Sequence, residues 1–175
     1  ILFHTMTLKN NFTVSFLVSM LFVATVPVAS GQDWPQFRGP GRDGVVSAFD
    51  VPDMWPEGLR EQWKIDVGLG YATPVIVGSR LYMYTRQDGD EVMLAIEMDT
   101  GEVLWRSGYA APFDMTPAAA GHGAGPKSTP TYADGRLFTL GMSGIVTAWD
   151  AGTGEQLWQM DAPAVQPLYH TAMSP

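Results

Sequence analysis

Few residues in this chain have the types and spacing that chemistry requires. Asp88, Asp90 and Glu91 fall within four positions of one another. Three carboxylates could bind calcium, but a calcium loop needs about twelve residues with oxygen ligands in a set order, and that order is absent. The structural reading is a solvated hairpin turn. His122 and Lys127 stand in a glycine- and proline-rich stretch, "SGYAAPFDMTPAAAGHGAGPKSTP", Ser107 to Pro130. They are the candidates for an anion or cofactor cradle. Gly121, Gly123 and Gly125 alternate, however, and do not show the spacing of a phosphate-binding loop. His170, in "PLYHTAMSP", precedes a later Ser-Pro just as His122 precedes Thr129-Pro130, which would put both imidazoles at one end of the fold. Two histidines without a nearby carboxylate make a poor metal site, so no metal centre is expected. No Gly-x-Ser-x-Gly elbow or His-Glu-x-x-His helix occurs, and cysteine is absent, which excludes thiolate ligands and cysteine nucleophiles.

The elements that must position these residues are set by a repeat. "AIEMDTGEVLW", Ala95 to Trp105, returns as "AWDAGTGEQLW", Ala148 to Trp158. Upstream of each copy lies a Thr-Pro opening, "TPVIVGSRLYMY" from Thr73 and "TPTYADGRLFTL" from Thr129. Each opening reads as strand, tight turn, strand, and Asp134-Gly135 is a favoured hairpin pair. A second turn leads into "EVMLAIE" or "IVTAW", and a third, at Thr100-Gly101 or Thr153-Gly154, into "EVLW" or "EQLW". Four short strands per unit of about 40–50 residues, with no helical period between them, indicate a β-propeller blade.

The fixed offsets have structural uses. Gly101 and Gly154 supply the positive φ of a tight turn, and Thr100 and Thr153 hold it by local hydrogen bonds. Ala95 and Ala148 are small enough for close strand approach. Trp105 and Trp158 are flat covers for a neighbouring turn. Each buried Trp hides about 150–250 Å², an upper bound of roughly 4–6 kcal/mol. Packing between blades, not ligand binding, is the expected role of these residues.

The pattern Ala-x-Asp-x-x-Thr-Gly-x-x-x-Trp resembles the tryptophan-docking repeat of the PQQ-like β-propellers. Ala148, Asp150, Thr153, Gly154 and Trp158 match it in full; the earlier copy has Glu97 in place of Asp. The opening "DWPQFRGPGRDGV", Asp33 to Val45, is similar to the start of exported proteins with this repeat. The resemblance implies an all-β propeller of six to eight four-stranded blades, in which each Trp stacks on the Thr-Gly turn of the next. About two blades are present: blade one at about 73–106 and blade two at about 129–159, with a third starting at 174. The propeller part is 62–175 and the chain is read as an N-terminal fragment, its other blades lying beyond Pro175. "REQWKIDVG", around Trp63, resembles a blade's outer strand supplied from the N-terminus.

Residues 1–31 read as a secretory signal peptide: Lys9, an apolar run from Phe12 to Ala29, then Ser30 and Gly31, with cleavage near either of the last two. Met6 is a better start than Ile1. Residues 32–61 form an N-terminal extension. The mature part is expected to be exported, in the periplasm, with no membrane span left after cleavage. A net charge of −8 excludes nucleic acid as the main partner and favours proteins.

The function expected first is a non-catalytic binding or scaffold module of the cell envelope, with an envelope protein as partner. The alternative is a quinoprotein alcohol dehydrogenase-like oxidoreductase. That resemblance implies PQQ, a calcium held by carboxylates and an Asp base, none of which can be assigned to a residue here. A sugar- or polymer-binding propeller is a third class, supported only by loop aromatics.

Overall fold

A computed structural model describes residues 31–47, 49, 51–112, 117, 121 and 123–161. Residues 1–30 and 162–175, on which the expectations of a signal peptide and of a third blade's opening fall, lie outside them. The chain is all-β and builds two four-stranded antiparallel meanders. The first comprises β1 (Val75–Val77), β2 (Arg80–Gln87), β3 (Asp90–Glu97) and β4 (Val103–Ala110). The second comprises β5 (Thr131–Ala133), β6 (Arg136–Leu140), β7 (Ile145–Asp150) and β8 (Gln156–Asp161).

Local turn chemistry sets these boundaries. Asp88 and Gly89 both have positive φ, as do Asp134 and Gly135, so each pair closes a two-residue hairpin whose twist suits the strands. At the third turn the Gly101 N–H donates to Glu97 O and the Gly154 N–H to Asp150 O, both at 2.8 Å. Both meanders shift register at the same place, between Ala95 and Ile96 and between Ala148 and Trp149.

Alternation along β2 and β3 gives the first sheet two apolar faces. Val92, Leu94 and Ile96 pack with Leu81 and Met83 against Trp63, Ile65 and Val67 of the preceding segment. On the other face Tyr82, Tyr84, Met93 and Ala95 share a core with Leu137, Trp149 and Ala151 of the second sheet. The seam between the two sheets is therefore the main core, and the functional side chains are arranged around it. Beyond the second sheet nothing described covers β8, which is exposed along its whole length.

Candidate functional site

The docking motif is the best-defined constellation in the molecule. Ala95 pairs with Tyr82 on one side and Trp105 on the other, and its small side chain lets those rings approach to 6.1 Å. Ala148 does the same for Phe138 and Trp158, also 6.1 Å apart. Trp105 then reaches across the seam to the Thr153-Gly154 turn. A Cβ on Gly154 would stand 2.5 Å from the indole, and Trp105 Nε1 donates to Ala151 O at 3.2 Å. Trp63 repeats the dock on Thr100-Gly101: a Cβ on Gly101 would stand 2.7 Å from its ring, and Nε1 donates to Met98 O at 2.7 Å. Met98 and Ala151 occupy the same repeat position, so Trp63 stands to the first sheet as Trp105 stands to the second.

The Asp-to-Glu difference between the copies has a visible consequence. Asp150 Oδ1 accepts hydrogen bonds from Gly152 N, Thr153 N and Thr153 Oγ1, tying the turn. The Thr153 amide and hydroxyl hold this carboxyl below its ordinary range. Glu97 is one methylene longer and turns away, accepting from Ser79 Oγ instead. Its turn keeps the backbone bonds from Gly101 N to Glu97 O and from Glu97 N to Glu102 O, with Thr100 Oγ1 accepting from Glu102 N.

The carboxylate cluster behaves differently from the expectation. Asp88 is exposed as expected, but Glu91 is wholly buried and so does not belong to a solvated turn. Its Oε2 accepts from Tyr84 and Tyr109 hydroxyls at 2.8 and 2.7 Å, and Oε1 from the Met142 amide of the second sheet at 2.6 Å. Gly141 leaves the room for Oε2, because a Cβ there would collide with it. Tyr109 also stacks on Trp149, centroids 5.9 Å apart. Burial, then the Glu91 charge, push the Tyr84 and Tyr109 phenols far above their ordinary range. Arg86, opposite Glu91 in the ladder, donates from Nη2 to Ala111 O at 2.7 Å, while its buried Nη1 has no hydrogen-bond partner among the described residues. Sequence reasoning missed Glu91 as a seam residue, since its partners come from the two neighbouring strands and a distant turn.

Lys127 lies in the loop between the sheets. Its Nζ donates to Gly123 O at 3.3 Å and sits 5.3 Å from the centre of the Tyr71 ring, and burial lowers its pKa. Pro126 O nearby accepts from the Tyr71 and Ala72 amides, which fastens the loop to the chain entering β1. His122 and His170 lie outside the described residues, so nothing in the structure brings them together with Lys127.

Among the described residues no three His, Cys, Asp or Glu side chains come close enough to hold a metal ion. Glu91, the one fully buried carboxyl among them, has both oxygens engaged by N–H and O–H donors.

Four-stranded meanders joined by Trp-on-glycine docks define a tryptophan-docked β-propeller. The family model described as outer membrane protein assembly factor BamB matches residues 42–169, well over half of the chain, and the chain belongs to that family of PQQ-like repeat propellers. No match is found among curated proteins. Among solved structures, a europium-containing methanol dehydrogenase aligns at 22% identity and a TM-score of 0.40, over 55% of this chain and 16% of that one. BamB from Moraxella catarrhalis aligns at 17% and 0.36, over 54% and 24%. The quinohemoprotein alcohol dehydrogenase from Comamonas testosteroni aligns at 23% and 0.36, over 51% and 13%. The chain thus spans less than a quarter of the length of each.

Proposed function

We propose that this protein is an exported, non-catalytic β-propeller that serves as a binding or scaffold module at the cell envelope. The observation that supports this reading most is the use made of Glu91. Catalysis by acid–base transfer needs an ionisable group with a free position facing substrate. The buried carboxyl here faces Tyr84, Tyr109 and Met142 and joins one sheet to the next. The family description, an assembly factor of the outer membrane, agrees with a structural role. Export is inferred from the signal-like segment 1–31; among the described residues no helix is long and apolar enough to cross a membrane.

Two measurements test the reading. Crosslinking in intact cells, followed by gentle detergent extraction, should recover the protein with an envelope protein. Titration with PQQ and Ca²⁺ should leave the quinone spectrum unchanged, and dye-linked alcohol oxidation should stay at background. A saturable spectral change accompanied by turnover would replace the scaffold with an oxidoreductase.

A further inference from the structure

The N-terminal extension makes contacts that neither the blade pattern nor the docking motif accounts for. Trp34 N donates to Ile76 O at 2.7 Å and Ile76 N to Trp34 O at 3.0 Å, an antiparallel bridge on the free edge of β1. Pro35 O accepts from Tyr132 N, in β5 of the second sheet, at 2.7 Å. Asp33 Oδ1 accepts from the Gly78 amide at 2.8 Å, capping the β1–β2 turn. Consecutive residues therefore bond to both sheets. In a radial array of blades the edges close enough for this are those nearest the axis. Such edges present unpaired N–H and C=O groups, which an extended strand satisfies. Proline suits the position between the two edges, because it brings a carbonyl and no N–H that would need a partner.

The rest of the extension holds these residues extended. Gln32 Oε1 accepts from the Ser47 amide at 2.7 Å, closing the segment into a compact loop. Inside it the Trp34 ring covers Gly39, where a Cβ would stand 2.7 Å away. Arg38 and Arg42 both take positive φ in the same turn.

We propose that the free edges of β1 and β5 form a seat for an extended peptide, filled here by the chain's own Asp33–Gln36, and that an extended Asp-aromatic-Pro segment of a partner protein takes the seat in exchange. The exchange rests on the reading of the protein as a binding module; the seat does not. Three main-chain bonds and one side-chain bond hold the segment, few enough for an incoming strand to replace.

Residue-resolved hydrogen exchange on the full chain tests this. The Ile76, Gly78 and Tyr132 amides are protected with the segment seated. In Asp33→Ala/Trp34→Ala they should exchange at least tenfold faster while Gly154, at the distant dock, keeps its rate. An excess of a synthetic peptide of residues 32–47 should restore the protection. Unchanged exchange in the variant overturns the seat, and acceleration that the peptide does not reverse overturns the exchange. If the double variant also loses protection at Gly154, the single variant Asp33→Ala, which removes only the carboxylate cap on the Gly78 amide, is read by the same criteria at that amide. Failure of the binding-module reading would appear separately, as absence of an envelope crosslink with the seat intact.

Discussion

At the scale of single residues, two requirements meet at Gly154: a positive φ and an indole face where a Cβ would be. Gly89 shares only the first, with φ of 95° and open space around it. Gly89→Ala should therefore cost only the left-handed backbone strain, about 1–2 kcal/mol. Gly154→Ala adds displacement of Trp105 and should cost about 2–4 kcal/mol. Urea unfolding of both variants measures the difference, and equal losses would mean that the dock contributes nothing. Asp150 gives a pH signature at the same turn. Its folded pKa is lowered, so its contribution is complete above the unfolded value of 3.8 and is lost as pH falls through the folded one. Between pH 6 and 3 the melting temperature of Asp150→Ala should fall less than that of the native chain.

Between elements, the Glu91 cluster links three strands of one sheet to a loop of the next. Glu91→Ala would leave the Met142 amide without its acceptor and the Tyr84 and Tyr109 phenols with only each other to bond, at a cost of about 3–5 kcal/mol. Glu91→Gln keeps an amide oxygen in place and should cost less. Both changes remove the charge that helps raise the Tyr84 and Tyr109 pKa values. A phenol whose folded pKa is raised stabilises the fold fully below its unfolded value, ordinarily about 10, and loses that stabilisation as pH climbs toward the folded one. Phenolate absorbance in a native alkaline titration should thus show Tyr84 and Tyr109 ionising only as the protein unfolds, and in Glu91→Gln the phenols that remain folded should ionise at lower pH.

The same cluster shows what was legible in the sequence. The hairpins were readable because Asp134-Gly135, Gly101 and Gly154 all take a positive φ, a property of a residue and its neighbours. Trp105 was readable as a cover because its offset from the turn repeats. Glu91 was not, because its burial depends on the missing Cβ of Gly141, fifty positions away on another sheet. Nor was the seating of Asp33–Gln36, since main-chain bonds to a free strand edge leave little trace in residue type.

For the whole molecule, the docks impose a direction. Trp63 covers a turn of the first sheet, Trp105 a turn of the second, and Trp158 is 44% exposed beside Phe138 and the exposed Met160. The same residue type in the same repeat position is therefore in two different environments, and its substitution should have two different effects. Trp105→Ala removes a ring packed in the seam and its bond to Ala151 O, and should cost about 3–5 kcal/mol. Trp158→Ala, in this 175-residue chain, removes a ring with water on one side and should change stability by only about 0.5 kcal/mol. Exposed apolar side chains on the far face of the second sheet also favour association. Trp158→Ala should therefore reduce self-association in sedimentation experiments, whereas Trp105→Ala, by loosening the seam, should increase it. Equal destabilisation by the two substitutions would mean that the far face is covered in solution, and the directional reading of the docks would then fail.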